Sequence, residues 1–96
     1  MTTLELYKEM NEKYASVFTI ATKCLMYKSV EAFIDEPTDE EYETIANVCC
    51  NAFMKDENCN LVKLADRVSE AYSNGEFTLE ELKEMSRWTI IKEYGY

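Results

Sequence analysis

Apolar residues recur at three- and four-residue steps along most of the chain, which is the spacing of one face of an α-helix. In the first third of the chain this stripe consists of Tyr7, Met10, Tyr14, Val17, Ala21 and Cys24, and it is widened by Phe18, Leu25 and Phe33. The spacing predicts a helix over residues 4–33, either unbroken or bent near residues 16–22, where β-branched side chains weaken the helix preference. Pro37 ends this segment, and Glu36 before it is expected to be extended.

The same spacing predicts three further helices, over residues 39–54, from a cap at Asn58 or Asn60 to Gly75, and over residues 79–94. Gly75 suits the left-handed conformation that often ends a helix. The residues expected to face inward are Tyr42, Ile45, Cys49, Ala52 and Phe53, then Leu61, Leu64, Ala65, Val68 and Tyr72, then Leu82, Met85, Trp88 and Ile91. The prediction is an all-α fold, a compact four- to five-helix bundle that forms a single domain over residues 1–96.

Three segments match the capping box T-x-x-E, in which the Thr and Glu side chains exchange hydrogen bonds with each other's backbone amides. The boxes begin at Thr2, Thr38 and Thr78. Phe77 and Leu82 predict a hydrophobic staple at the third box, and Met1 and Leu6 allow one at the first. Each box therefore predicts the start of a helix.

Composition supports a small helical domain. Two Gly and one Pro among 96 residues are too few for a protein of sheets and turns.

No run of about 18 apolar residues is present, and polar residues interrupt the first apolar stretch, so we expect neither a membrane span nor a signal peptide. We place the protein in the cytoplasm. In that compartment the four cysteines are expected to be reduced thiols and not disulfides. They are not expected to bind zinc, because their spacing lacks the paired C-x2–4-C ligands of a zinc site.

Catalytic motifs are missing from the sequence. The chain has no histidine, and neither a G-x-x-x-x-G-K-[ST] nor a G-x-G-x-x-G phosphate loop occurs. We therefore expect no enzyme, no catalytic residue and no cofactor. Residues 70–82 align with the second half of an EF-hand loop through Gly75 and Glu81, but Tyr72 stands where a ligand is needed. We expect no metal site, and a divergent EF-hand-like calcium responder remains as an alternative.

The charge of the chain is uneven. The net charge is −9 and the pI is near 4.4, which opposes direct binding to nucleic acid. Residues 31–43, here called the acidic corner, contain seven carboxylates and no basic residue. Acids in a first helical turn favour the helix dipole, which accounts for Asp39, Glu40 and Glu41. The dipole disfavours Glu31, Asp35 and Glu36 at the end of the preceding helix, so solubility or a basic partner is needed to explain them.

Aromatic residues are also frequent, and the tail places Tyr94 and Tyr96 where burial is doubtful. Tyr beside carboxylates suits a protein interface, because Tyr offers a large contact area at low entropic cost. The residues predicted to bind a partner are Glu31, Asp35, Glu36, Asp39, Glu40, Glu43, Tyr94 and Tyr96.

With its length, its acidic corner (Glu31, Asp35, Glu36, Asp39, Glu40, Glu41 and Glu43) and its lack of catalytic motifs, the chain resembles the small inhibitors of phages and other mobile elements, anti-CRISPR proteins and DNA mimics among them. The resemblance implies a non-enzymatic inhibitor whose carboxylates occupy the Arg and Lys positions of a basic, nucleic-acid-handling protein such as a CRISPR effector. For a phage protein, the compartment would be the cytoplasm of the infected bacterium. Because the acids are concentrated at one corner, a local block is favoured over a mimic of a whole duplex.

A second class of function stays open beside the inhibitor. The broad apolar face of residues 7–33 would suit a structural or regulatory helical subunit that forms a homodimer. The sequence does not decide between a monomer and a homodimer.

Overall fold

The computed structural model describes residues 2–14, 16–56 and 58–96. Within these ranges the chain forms six helices and no strand. The helices are α1 (Thr3–Lys13), α2 (Val17–Phe33), α3 (Asp39–Lys55), α4 (Leu61–Ser73), α5 (Leu79–Glu84) and α6 (Arg87–Tyr94). The prediction of a compact all-α domain is confirmed, with six helices in place of the expected four or five.

Two serines account for the additional helices. The Ser16 hydroxyl accepts a hydrogen bond from the Thr19 amide at 3.3 Å and caps α2. The Ser86 hydroxyl accepts one from the Thr89 amide at 3.1 Å and caps α6. A Ser side chain competes for backbone hydrogen bonds and so favours helix starts over helix interiors. The division at Ser16 agrees with the alternative of a bend near residues 16–22, whereas the division at Ser86 was not predicted.

Helix α1 has an unusual backbone. From Leu4 to Glu12 every φ is positive, between 37° and 55°, which lies outside the right-handed helical region. Helix α1 packs mainly against α2, and the buried Leu4 is its main contribution to the core. Its position therefore depends on tertiary contacts and not on helix preference.

The predicted helix caps are confirmed at Thr38, Asn60, Gly75 and Thr78, and α1 begins at Thr3, next to the start predicted for it. Thr38 and Thr78 form complete capping boxes with Glu41 and Glu81, and the cap of α4 is Asn60. Gly75 has φ +82°, and the amides of Gly75 and Glu76 donate to Tyr72 and Ala71, which is a Schellman motif.

The first capping box was predicted wrongly. Thr2 makes no capping bond, and its hydroxyl donates instead to Glu31, 2.6 Å away in α2. The carboxylate of Glu31 therefore takes the place of the backbone amide in the first turn of α1 as the hydrogen-bond partner of Thr2. The staple expected between Met1 and Leu6 lies outside the described residues, because Met1 is not among them.

Helix α3 is central, since α2, α4, α5 and α6 all pack against it. Its predicted inward face is confirmed: Tyr42, Ile45, Cys49 and Ala52 are buried, and Phe53 is half-buried. In α4, Leu64, Ala65 and Val68 are buried as expected, together with Ser69 and Ala71, while Leu61 and Tyr72 are half-buried. The largest fully buried side chain is Tyr27 of α2, whose ring lies edge-on to that of Tyr42 with centroids 5.5 Å apart.

The inward face predicted for the last helix is confirmed at Leu82 and Ile91 and wrong at Trp88. Trp88 is 59% exposed, because α6 starts anew at Ser86, and Ile90 is buried in its place. In the first third of the chain, the stripe residues Met10, Tyr14, Val17 and Ala21 and the flanking residues Phe18, Leu25 and Phe33 are exposed. The chain breaks between α1 and α2, so the two helices do not share one continuous face, and α2 presents Met26, Tyr27 and Val30 to the core.

No helix in the described ranges combines the length and the apolar character needed to cross a membrane. The thiols of Cys24, Cys49, Cys50 and Cys59 are free, and burial is the main factor that raises the pKa of Cys59 above its usual value.

Candidate protein-binding site at the acidic corner

The acidic corner lies where the carboxyl end of α2 meets the amino end of α3. The Thr38 capping box starts α3 immediately after Pro37, so the acids of its first turn lie beside the short connection over residues 34–38. Asp35 and Glu36 in this connection are exposed. Glu36 was expected to be extended, but its φ is +48°, in the left-handed region. A non-glycine residue there is under strain, commonly on the order of 1–3 kcal/mol, and such strain is frequent at functional sites.

A hollow of about 470 Å³ opens at this corner. Three of its lining residues are acids, Glu31, Asp35 and Glu36, and the others are Thr2, Ile34, Pro37 and Tyr42. No lysine or arginine lines it. A concave surface with carboxylates on several sides and no internal cation is suited to receive a cationic side chain from another molecule.

Hydrogen bonds hold Glu31 at the inner side of this hollow. The Tyr42 hydroxyl donates to Glu31 Oε2 at 2.7 Å, the Thr2 hydroxyl donates to the same oxygen, and the Thr3 hydroxyl donates to Oε1 at 3.2 Å. The Thr3 amide is a fourth donor. Glu31 is therefore fixed in orientation by neutral donors that leave its negative charge in place.

Two other carboxylates of the acidic corner also accept hydrogen bonds from tyrosines. Tyr72 of α4 donates to Glu41 Oε2 at 2.6 Å, and Tyr27 of α2 donates to Glu43. Glu41 accepts the Thr38 amide as well, as the capping box requires. These bonds tie the amino end of α3 to two neighbouring helices and restrict the carboxylates without neutralising them.

Internal cations reach only part of the acidic corner. Among the described residues, Lys83 lies 3.0 Å from Glu40, and Lys8 lies 3.8 Å from Asp39. All four side chains are substantially exposed, and exposed ion pairs contribute about 0–1 kcal/mol at most. Asp35 and Glu36 have no ion pair within the described ranges. The corner thus keeps most of its net negative charge.

The tyrosine hydrogen bonds change the acidity of both partners. Partial burial acts to raise the pKa of Glu31, but the bonds from Thr2, Tyr42 and Thr3 outweigh it, so the pKa lies below its ordinary value. The pKa of Glu41 is lowered in the same way, with burial opposed by the bonds from Tyr72 and Thr38. In turn, the bond to Glu41, followed by burial, raises the pKa of Tyr72 to about 12. Both carboxyls are therefore ionised at neutral pH.

These shifts predict an acid-dependent loss of stability. Since the folded-state pKa values of Glu31 and Glu41 are lowered, their contribution is complete above the unfolded carboxyl pKa of about 4.3 and is lost as the pH falls through the folded values. We expect the melting temperature to drop less between about pH 5 and pH 3 in a Tyr42→Phe, Tyr72→Phe double variant than in the wild type. Circular dichroism melting curves recorded across this pH range measure the drop in each protein. Equal drops in the variant and the wild type would contradict the view that these tyrosine hydrogen bonds lower the two carboxyl pKa values.

The two tail tyrosines lie away from the acidic corner. Tyr94 is half-buried, and its ring packs edge-on against Phe77 with centroids 6.1 Å apart. Tyr96 is 69% exposed, and its hydroxyl donates to Asp56 at the carboxyl end of α3. Since α3 has 17 residues, roughly 25 Å of helix separates Tyr96 from the corner. The structure therefore groups Glu31, Asp35, Glu36, Asp39, Glu40 and Glu43 but does not bring Tyr94 and Tyr96 to them.

The residues that organise the site were not predicted from sequence. They are Tyr27, Tyr42 and Tyr72, together with Lys8 and Lys83. Each contact joins residues at least 11 positions apart in the chain, so no local spacing signals it. The one hint in the sequence was the abundance of tyrosine in an acidic chain.

Within the described ranges, no group of three or more His, Cys, Asp or Glu residues is placed to hold a metal ion. Residues 70–82, which partly match an EF-hand loop, form the end of α4, the Schellman motif and the Thr78 capping box. Comparisons of the chain with protein-family models, with curated proteins and with solved structures found no match. The proposed role therefore rests on the site itself.

Proposed function

We propose that this protein is a non-enzymatic inhibitor that binds a basic, nucleic-acid-handling protein through the acidic corner. Its carboxylates would occupy positions at which the partner's Arg and Lys side chains otherwise contact phosphate. Anti-CRISPR proteins, to which the chain is similar in length, charge and lack of catalytic motifs, supply the type of activity. The protein would act in the cytoplasm of the cell that contains this partner.

The hollow at the acidic corner is the observation that supports this function most directly. Glu31, Asp35 and Glu36 line it, and no internal cation lies among its lining residues. Four hydrogen bonds orient Glu31, and ionised carboxylates that are held in place before binding lose little side-chain entropy when a cation docks. A bidentate Arg–carboxylate pair is the contact that suits such a site best.

Neutralising the acidic corner tests the proposal. The variant carries Asp35→Asn, Glu36→Gln, Asp39→Asn and Glu40→Gln, and the partner is first captured from extract of the host cell and identified by mass spectrometry. We expect the Kd for the purified partner to rise at least about tenfold, because the loss of even one close charge pair across an interface costs roughly 1.5 kcal/mol or more. Titration calorimetry at two salt concentrations measures the Kd and shows how strongly salt weakens the binding.

A matched variant distinguishes the effect of the acidic corner on affinity from the effect of the overall net charge. It removes the same number of negative charges at exposed positions elsewhere, through Glu70→Gln, Glu76→Gln, Glu84→Gln and Glu93→Gln. We expect this control to bind nearly as tightly as the wild type. If the two variants lose affinity equally, overall charge and not the corner drives binding, and if neither does, the inhibitor mechanism is wrong.

A further inference from the structure

The hydrogen bonds that orient Glu31 also fill its acceptor sites. Three donors reach its Oε2 atom, namely the hydroxyls of Thr2 and Tyr42 and the Thr3 amide. The Thr3 hydroxyl reaches Oε1 at 3.2 Å. A carboxylate oxygen has about two lone-pair directions, so Oε2 is fully occupied. Since a bidentate arginine needs an acceptor direction on each oxygen, it can pair directly with Glu31 only when one or more of these donors leave.

Most of these donors belong to the beginning of α1. Thr2 and Thr3 supply three of the four hydrogen bonds to Glu31, and the fourth comes from α3. Farther along α1, the Lys8 ammonium lies 3.8 Å from Asp39, another acid of the acidic corner. Helix α1 thus places two hydroxyls, an amide and an ammonium on two carboxylates of the corner. A basic partner would have to compete with α1 for these two carboxylates.

Helix α1 can leave its place while most of the core stays intact. It packs mainly against α2, and Thr3 and Leu4 are its buried residues. An element with few buried contacts is the kind that opens locally while the rest of a fold remains closed. Thr2 is one of the lining residues of the hollow at the acidic corner, so the departure of this segment also widens the hollow.

We propose that residues 2–8, here called the strap, are autoinhibitory: they occupy Glu31 and Asp39 in the free protein and are displaced by arginine side chains of a basic partner. The existence of such a partner rests on the proposed function. In the closed state a cation in the hollow is attracted by the charge of Glu31 without a direct contact, and in the open state Glu31 is available for pairing. Binding that requires the open state is weakened in proportion to the fraction of molecules that are open.

Removing the two threonine hydroxyls tests whether Glu31 holds the strap closed. The variant carries Thr2→Val and Thr3→Val, which keep the β-branched shape, and its hydrogen exchange over residues 4–13 is compared with that of α3. We expect α1 to exchange at least about tenfold faster, because hydrogen bonds to a charged group are lost, and α3 to be unchanged. Thr22→Val is the matched control, because that hydroxyl donates within α2, to the Phe18 carbonyl at 2.8 Å.

An arginine hexamer peptide tests whether the strap and a cationic ligand compete for the acidic corner. Titration calorimetry measures its Kd for the wild type and for the Thr2→Val, Thr3→Val variant, and a citrulline hexamer, which is similar in shape but uncharged, is the peptide control. While the closed state predominates, the Kd should fall by the factor by which α1 exchange accelerates, since both report the population of the open state. In the complex, α1 should lose its protection from exchange and α3 should keep it.

Four results would overturn the strap. The first is exchange of α1 that the two valines accelerate no more than Thr22→Val does, or no more than they accelerate exchange of α3. The second is a Kd that stays the same although α1 exchanges faster. The third is a Kd that rises, which would show that Thr2 and Thr3 position Glu31 for its ligand. The fourth is an arginine peptide that does not bind, or that binds equally well when the acidic corner is neutralised. The proposed function is decided separately, by the captured partner, so either can fail without the other.

Discussion

Replacing Tyr27 by Ala is expected to lower the free energy of unfolding by about 3–5 kcal/mol, the usual cost of removing a large buried aromatic side chain. Tyr27 is fully buried, and its ring contacts those of Tyr7 and Tyr42 edge-on, with centroids 5.7 and 5.5 Å away. The residue also donates to Glu43, so the variant leaves a cavity and removes one tie between α2 and α3. For a domain of this length the melting temperature should fall by roughly 15–30 °C.

Tyr27→Phe is the matched control for this variant. It keeps the ring and removes only the hydroxyl that bonds Glu43. We expect a loss of about 1.5–3 kcal/mol, the net worth of one hydrogen bond to a charged group. Urea unfolding followed by circular dichroism gives both values. If Tyr27→Ala proves as mild as Tyr27→Phe, the ring is not the centre of the core.

Helix α1 is expected to exchange its amide hydrogens about a thousandfold faster than α3, or more. The helix packs mainly against one neighbour, whereas α3 packs against four, and the buried residues of α1 are Thr3 and Leu4 at its beginning. Opening or rewinding of α1 should therefore need little free energy, whereas exchange in α3 requires global unfolding.

Hydrogen exchange followed by mass spectrometry measures this difference. The peptides to compare cover residues 4–13 and residues 42–54, and the protein is diluted enough to be a monomer. The amides of α4, which is also well packed, provide the internal control. Protection of α1 equal to that of α3 would contradict the expectation and would show that contacts with α2 hold α1 as firmly as the core holds α3.

The sequence was sufficient to predict the features that depend on hydrogen bonds between near neighbours in the chain. The capping boxes at Thr38 and Thr78, the cap at Asn60 and the left-handed Gly75 were all predicted from residue type and spacing. Each depends on hydrogen bonds between residues within a few positions of one another, so the competing partners are also visible in the sequence. The inward face of α3 was predicted for the same reason, because a helix with no break keeps one phase along its length.

The predictions from sequence that were wrong share a different cause. Ser86 restarts a helix inside a stretch with continuous apolar spacing, and the new helix α6 leaves Trp88 exposed. At Thr2 a carboxylate 29 residues away replaced the local capping partner. A serine or threonine has several possible partners of similar strength, and only the packing of the rest of the chain decides which one it meets.

The sequence alone established an all-α domain and a concentration of negative charge over residues 31–43. The tertiary structure decided how that charge is presented. Tyrosines from α2, α3 and α4 restrain Glu43, Glu31 and Glu41, while Lys8 and Lys83 each reach a single acid of the corner, and Lys83 also pairs with Glu80. Net charge is a sum over residues and needs no coordinates, whereas the pairing of each charge depends on which distant side chains the fold brings within a few ångströms.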